Sequence, residues 1–200
     1  MIRTQHDALE LVRDRQVVTE VPTHGPTSLV AAVIGRVPEG SWREHAKGRL
    51  VYRLGRQLRA SPEVLAVRLV EGKVAFVDRA LWPEVYRVAM EPERRRRSLE
   101  GLSAHARGLL TQVERDKVVR LSKEEGPWTK AREALEERLL VHFAEAQNDE
   151  GKHEAVLRSW RAWAPAQLKH EASRLSYEEA LQTLRAACGG APTGLGPWVF

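Results

Sequence analysis

The sequence has little cysteine and no long apolar segment. Its one cysteine among 200 residues, Cys188, excludes an intramolecular disulfide, and no Cys/His spacing resembles a zinc site. No run of about 18 apolar residues is present, and charged residues occupy the N-terminus, where a signal peptide has its apolar stretch. We therefore expect a cytoplasmic protein of bacterial type, without membrane spans and without a metal or other cofactor.

Signatures of common enzyme classes are also missing. The chain has no phosphate-binding glycine loop, no dinucleotide-binding fingerprint and no nucleophile elbow. His142, Glu145 and His153 could converge across a predicted hairpin and hold a metal ion, but their spacing matches no metalloenzyme signature. We expect no catalytic activity, and we keep an enzyme using the His142 region as the third class of function.

Positive charge is concentrated in the first half of the chain. Residues 1–100 carry 18 Lys/Arg and 13 Asp/Glu, a net charge of +5, whereas residues 101–200 carry 14 of each. Arginine favours a polyanionic partner because its planar guanidinium binds two phosphate oxygens at once. Codon usage in a GC-rich genome would explain the choice of arginine over lysine, but not its clustering. With 42% hydrophobic residues, the chain can bury a core in one or two domains.

A basic amphipathic helix is predicted over residues 43–59. One arc of about 100° on the helical wheel carries Leu50, Val51, Leu54 and Leu58. Arg49, Arg53 and Arg56 lie roughly opposite, so one face can pack in a core while the other meets an anion. The basic residues of this segment outnumber its single acid, Glu44, and they are Arg43, Lys47, Arg49, Arg53, Arg56 and Arg59.

The loop that leads into this helix is the densest cluster of special residues. Ser41 can cap the helix so that its N-terminus faces an anion, and His45 lies in the same loop. Trp42 either stacks on a sugar or base or serves as a hydrophobic anchor. Gly48 removes a side chain early in the helix and so allows close approach of another backbone.

A basic hairpin is predicted directly after the helix. Residues 65–69 and 74–76 alternate apolar and other side chains as half-buried strands do, and the turn Glu71-Gly72 joins them. Positive charge along or beside the hairpin comes from Arg68, Lys73 and Arg79. The alternative interpretation is a solvated helix and an ordinary hairpin in a small α+β domain.

The remaining sequence predicts further elements on both sides. Before the basic helix we expect a helix from Thr4 to Arg15, a strand at 17–21 and a helix at 29–34 capped by Thr27 or Ser28. After the hairpin we expect a helix at 82–90, and then a charged run at 91–97 that is either a solvated linker or a phosphate anchor.

The second half is predicted to repeat this order. The expected elements are a helix at 104–116, a strand at 118–121, a helix at 130–139, a hairpin over 140–156 and a helix at 157–164. Residues 149–151 are either the hairpin tip or a helix break. Trp160 and Trp163 are expected on opposite sides of their helix, which Pro165 ends. A last helix begins at Ser176, and the tail at 191–200 either docks on its own domain or binds a partner.

The element order of residues 4–90 resembles a winged helix-turn-helix DNA-binding domain, and residues 103–164 resemble a degenerate second copy. The resemblance implies an α+β, mostly helical fold with tandem winged-helix domains. The boundaries would be 1–90 for the basic domain, 91–102 for a linker, 103–164 for the second domain and 165–200 for a C-terminal helix and apolar tail. A tandem pair of which only one copy is basic also resembles the accessory subunits of chromosome-condensing complexes and the winged-helix modules of alkyl-DNA glycosylases.

In such domains the third helix enters the major groove of double-stranded DNA and the wing lies along the backbone or minor groove. The resemblance therefore implies a nucleoid-associated DNA-binding protein in transcription regulation, DNA repair or chromosome maintenance. The implied DNA contacts are Ser41, Trp42, Arg43, His45, Lys47, Arg49, Arg53, Arg56, Arg68 and Lys73.

The second copy departs from this pattern because its corresponding helix is neutral. We therefore assign residues 103–200 to a homodimer or protein-partner interface. The alternative for the whole chain is a non-catalytic scaffold subunit of a repair or chromosome-maintenance complex, in which the arginines are only surface charge.

Overall fold

The structure, a computed structural model, describes residues 2–37, 40–121, 126–147 and 153–189. It is α+β and mostly helical, as the sequence predicts, and contains two three-stranded antiparallel sheets. The chain divides into two units. The first comprises residues 2–82 and 183–189, and the second comprises residues 83–182. None of the helices within the described ranges is long and apolar enough to cross a membrane.

The first unit alternates short helices with the strands of one sheet. Its elements are α1 (Gln5–Arg15), β1 (Val17–Thr19), α2 (Leu29–Ile34), α3 (Gly48–Ala60), β2 (Val64–Val70) and β3 (Lys73–Asp78). The sheet order is β1-β3-β2, since Val18 pairs with Phe76 and Ala66 pairs with Phe76 from the other side. The predicted hairpin is thus present, and its turn residues Glu71 and Gly72 have φ values of 51° and 68°.

Side-chain caps explain where the first helices begin. The Thr4 hydroxyl accepts a hydrogen bond from the Asp7 N–H at 3.1 Å, and the Asp7 carboxylate accepts one from the Thr4 N–H at 3.0 Å. Backbone N–H donation from Arg3 and Thr4 lowers the pKa of Asp7. The Ser28 hydroxyl accepts from the Ala31 N–H at 3.1 Å and so caps α2, which decides between the two predicted caps, Thr27 and Ser28.

The core of the first unit lies between these three helices and the sheet. α3 contributes Val51, Leu54 and Leu58, as the helical wheel predicts, while Leu50 is only partly buried. These side chains pack with apolar residues of the other elements, which are Ala8, Val12, Val18, Leu29, Val30, Val33, Ile34, Val64 and Phe76. The orientation of α3 is therefore fixed by its apolar face, which leaves the opposite face exposed.

Burial follows the predicted alternation in β2 but not in β3. Leu65, Val67 and Leu69 are buried, while Ala66 and Arg68 between them are only partly buried. In β3 the consecutive residues 75–77 are all buried. The expectation of a half-buried strand therefore holds for residues 65–69 and is wrong for β3, because β3 is the central strand and buries side chains on both of its faces.

The second unit contains the remaining helices and the second sheet, apart from the first residue of α4 and the end of α10. Its elements are α4 (Trp82–Met90), α5 (Pro92–Ser98), α6 (Ala104–Asp116), β4 (Val118–Leu121), α7 (Pro127–Glu137), β5 (His142–Gln147), β6 (His153–Arg158), α8 (Trp160–Trp163), α9 (Ala166–Ser173) and α10 (Tyr177–Ala187). The sheet order is β4-β6-β5. As in the first sheet, the central strand is the last of the three along the chain, and it pairs with the first strand on one side and with the other hairpin strand on the other side.

Three expectations for the second half are wrong in detail. α7 begins at Pro127 rather than at Lys130, since proline is favoured in the first helical turn. The helix expected at 157–164 is α8, which begins only at Trp160 because β6 extends to Arg158. Pro165 ends α8 as expected and is also the N-cap of α9, a helix that the sequence analysis does not include. Trp160 and Trp163 lie on one side of α8, with ring centroids 5.2 Å apart, because residues three apart share a helical face.

The charged run at 91–97 is helical and partly buried. It forms most of α5, in which Arg94 is only 4% exposed, so the interpretation as a solvated linker does not hold for this residue. The predicted hairpin tip at 149–151 and the tail at 191–200 lie outside the described residues.

Candidate nucleic-acid interface

The start of α3 differs from the prediction. Residues 42–44 form a 3₁₀ turn, and α3 itself begins only at Gly48. The Ser41 side chain makes no capping hydrogen bond, so the predicted anion site at a Ser41-capped helix N-terminus is absent from this part of the described chain. A Cβ on Gly48 would lie 2.6 Å from the Arg43 carbonyl oxygen, so Gly48 permits close approach of the chain's own turn to the helix.

The aromatic residue of this turn has a structural role. Trp42 is half-buried and packs against the core of the first unit, which agrees with the hydrophobic-anchor alternative. The guanidinium carbon of Arg43 lies 5.5 Å from the centroid of the Trp42 ring, within the range of a cation–π interaction. Arg43 remains exposed. The packed ring therefore positions a cation at the surface just before α3.

Lys47 and His45 connect α2 to α3. The Lys47 ammonium donates a hydrogen bond to the Val33 carbonyl at 2.9 Å, at the last turn of α2, where a cation also compensates the helix dipole. The Lys47 N–H donates to His45 Nδ1 at 3.1 Å, which places the ring proton of a neutral His45 on Nε2. Both predicted contact residues are thus engaged within the protein, and we omit them from the interface.

The exposed face of α3 is the main feature of the candidate interface. It carries Arg49, Arg53 and Arg56, all exposed, together with Tyr52, which is 61% exposed. The sequence of α3, GRLVYRLGRQLRA, contains no acidic residue. None of the three arginines forms an ion pair within the described ranges. We call these four residues the α3 stripe.

Tyr52 is the residue that the sequence analysis missed. Its side chain makes no hydrogen bond or ring contact with any other described residue and is absent from the core cluster. The signal was present in the sequence, since Tyr52 is three residues after Arg49 and four before Arg56, spacings that place all three on neighbouring parts of a helical surface.

The fourth arginine of α3 is used differently. Both terminal nitrogens of Arg59 donate to the Glu20 carboxylate, each at 2.9 Å, and its guanidinium carbon lies 5.5 Å from the Phe76 ring centroid. Arg59 is half-buried, so it ties the end of α3 to the rest of the first unit. The sequence pattern does not separate this arginine from the exposed ones.

The two predicted contacts on the hairpin also differ. Arg68 is half-buried and donates to the Gly72 carbonyl at 2.9 Å, so it braces the turn. Lys73, at the start of β3, is exposed and forms no ion pair within the described chain. Arg79, after β3, is exposed and lies 5.8 Å from the Trp82 ring centroid. Lys73 is therefore the better candidate for a ligand contact.

In the second unit, α7 follows β4 and precedes the hairpin, as α3 precedes the hairpin of the first unit. Its sequence, PWTKAREALEE, has two basic and three acidic residues. Arg132 donates to the Glu136 carboxylate at 2.6 Å, with side-chain exposures of 13% and 8%, and lies 4.5 Å from the Phe143 ring centroid. α7 therefore offers little attraction to a polyanion.

Arg94 of α5 binds backbone carbonyls. Its guanidinium donates to Val88 and Ala89 at the end of α4 and to Arg138 and Leu139 after α7, over distances from 2.7 to 3.2 Å. Burial lowers its pKa to about 10, so it stays charged at neutral pH. All these acceptors are neutral carbonyls, and Val88 and Leu139 each have a second donor, which is the Glu91 N–H for Val88 and the Trp160 indole for Leu139. Because the acceptors lie at the end of α4 and just after α7, Arg94 joins three helices of the second unit.

The neighbours of Arg94 in the same run are also paired. Arg96 and Arg97 are exposed and bind Glu93, whose pKa they lower through hydrogen bonds and charge. Arg95 binds Glu114 at 2.7 Å. The alternative of a phosphate anchor at this run is therefore weakened, since each cation already has an acceptor.

The backbone positions of His142 and His153 are far apart, which argues against the metal site that these residues and Glu145 could have formed. In the register of the second hairpin His142 is opposite Arg158 and His153 is opposite Gln147, at the two ends of the strands, about 17 Å apart. No group of three His, Cys, Asp or Glu residues in the described ranges is arranged to hold a metal ion. His142 instead stacks on Trp163 with centroids 5.1 Å apart, beside Trp160.

Besides Arg94, two more buried groups among the described residues have strongly shifted pKa values. Burial, with a smaller contribution from Arg158, lowers the pKa of His142 to about 3, and its Nδ1 has no hydrogen-bond partner among the described residues. Burial raises the pKa of Cys188 to about 12. The Cys188 thiol is therefore protonated and unreactive at neutral pH, in line with a structural role.

In comparisons with known proteins, no family model, no curated protein and no solved structure matches the chain.

Proposed function

We propose that the chain is a double-stranded DNA-binding protein built from tandem winged-helix domains, with α3 of the first unit as the helix that binds DNA. The observation that carries the proposal is the α3 stripe, in which three exposed arginines stand on a helix without a single acid. A helix of 13 residues is about 20 Å long, which suits the major groove.

The element order supports the proposal. Helix, strand, two helices and a hairpin follow one another in the first unit, with the sheet order β1-β3-β2. In a winged helix the helix before the hairpin is the one that enters the groove. Here that helix is α3, and the hairpin after it carries the exposed Lys73.

Duplex DNA fits the stripe better than a single strand. Proteins that bind single strands stack successive bases on several aromatic side chains, and the stripe has one aromatic residue, Tyr52. The phosphate contacts that we propose come from Arg43, Arg49, Arg53, Arg56 and Lys73.

Charge reversal tests the proposal. Arg53→Glu/Arg56→Glu is expected to remove most of the binding to a random-sequence duplex at low salt, because it replaces two attractive charges in the stripe by repulsive ones. The matched control is Arg107→Glu/Arg174→Glu, which alters the net charge equally at two exposed positions of the second unit without known ion pairs in the described chain. Equal loss in both variants, or in neither, would refute a site on α3.

A second candidate function is a scaffold subunit that binds a protein through the second unit. It is favoured by a cleft of about 480 Å³ there, whose lining includes Met90, Trp160 and the 41% exposed Leu99. This function predicts that the Arg53→Glu/Arg56→Glu variant still replaces the wild-type protein in the cell, whereas the DNA-binding proposal predicts that the variant does not.

A further inference from the structure

Tyr52 is an exposed aromatic residue without a structural explanation. It is 61% exposed, lies outside the core cluster and contacts none of the other described side chains through a ring or hydrogen bond. Tyrosine is a weaker helix former than arginine or lysine, so helix stability does not account for it. Its ring instead supplies the largest apolar area on the α3 stripe.

The position of Tyr52 on the helix fits a contact inside the groove. Arg49 and Arg56 are two turns apart, about 10 Å along the axis, and Tyr52 lies between them. On the helical wheel Tyr52 and Arg53 lie on either side of the line from Arg49 to Arg56, within an arc of about 100°. A helix that presents this arc to DNA brings the Tyr52 ring towards the base edges.

The chemistry of the base edges selects the partner of such a ring. In the major groove every base presents hydrogen-bonding groups, but only thymine presents a methyl group. The arginines of the stripe suit guanine edges and phosphate oxygens. An apolar ring among them gains most from the thymine methyl group, from which it excludes water.

We propose that Tyr52 packs on the 5-methyl group of a thymine in the major groove and thereby makes DNA binding by the first unit selective for sequence. The proposal rests on the proposed function of α3 and adds a base contact to it. This base contact distinguishes the α3 stripe from a surface that binds only phosphates, because an exposed tyrosine ring adds no favourable contact to such a surface.

The test first selects the preferred duplex from a random library with the wild-type protein. Each thymine of the selected site is then replaced in turn by deoxyuridine, which removes only the methyl group. One replacement is expected to weaken wild-type binding by about fourfold, the value of one buried methyl group. Tyr52→Ala is expected to bind the thymine and deoxyuridine duplexes equally, and Tyr52→Phe to behave as the wild type.

Controls separate this proposal from the one on which it rests. Leu99→Ala, which removes an exposed apolar side chain from the second unit, is expected to keep the fourfold preference. An unchanged melting temperature of Tyr52→Ala shows that the helix is intact. A wild type without sequence preference, or equal sensitivity to deoxyuridine in wild type and Tyr52→Ala, overturns the role of Tyr52. Binding that survives Arg53→Glu/Arg56→Glu overturns the DNA site on α3 itself.

Discussion

The helices α3 and α7 each come directly before the hairpin of their unit and use arginine in opposite ways. In α3 three arginines are exposed and unpaired in the described structure, and no acid accompanies them. In α7 the side chain of Arg132 is largely buried against Glu136 and Phe143. An Arg-rich composition therefore does not identify a polyanion site, because burial and pairing decide which guanidiniums remain available.

The largest effect expected from this difference concerns Arg94. Arg94→Met removes the guanidinium donor from four backbone carbonyls of the second unit. Val88 and Leu139 each keep a second donor, so the free energy of unfolding is expected to fall by about 3 kcal/mol, mainly through the other two carbonyls. Arg53→Met, the same change on the α3 stripe, is expected to alter it by less than about 0.5 kcal/mol. Urea denaturation of both variants checks this pair, and similar losses in the two would contradict the comparison.

A second expected difference is that acid lowers the stability of the second unit through His142. His142 is buried as the neutral form, with its pKa lowered from 6.5 to about 3, so the unfolded chain binds a proton at a pH where the folded unit does not. Its contribution to stability is complete above pH 6.5 and is lost as the pH falls towards 3. At pH 4.5 the expected loss is about 2–3 kcal/mol.

The His142→Phe variant isolates this contribution, because it keeps an aromatic ring beside Trp163 and removes the titrating group. Urea titrations from pH 7 to pH 4.5 are expected to show a flatter pH dependence in this variant than in the wild type. The same slope in both proteins would assign the acid sensitivity to other groups.

The parts of the fold that could be predicted from the sequence are those that depend on interactions between residues close together along the chain. The bounds of α2 follow from Ser28 and Gly35, and the hairpin follows from its turn, since caps and turns act within a few residues. The start of α3 was misplaced because Ser41 and Gly48 are both plausible beginnings of a helix. Only the packing of Trp42 on the core decides between them.

The missed parts of the site depend on tertiary contacts. The pairing of Lys47 and Arg59 could not be predicted, because their partners Val33 and Glu20 are distant in sequence. Tyr52, in contrast, could have been predicted, because its place among the arginines follows from helical periodicity alone.

A smaller effect is expected where two arginines of one helix are compared. Arg59→Leu removes a bidentate pair with Glu20 that is about one-quarter exposed, so the free energy of unfolding is expected to fall by about 1–2 kcal/mol. Arg56→Leu removes an exposed, unpaired side chain and is expected to be nearly neutral for stability, while it weakens DNA binding. Thermal melts and duplex titrations of both variants check the separation, and an equal shift in melting temperature would contradict it.

The salt dependence of duplex binding tests the central claim most directly. With about five phosphate contacts from Arg43, the α3 arginines and Lys73, the logarithm of the binding constant is expected to fall with the logarithm of salt concentration at a slope of about −4 to −5. In Arg53→Glu/Arg56→Glu any residual slope is expected to be shallower by about 2, while Arg107→Glu/Arg174→Glu keeps the wild-type slope. A folded wild-type protein that does not bind at low salt, or a slope unaffected by the stripe, would contradict a DNA-binding α3.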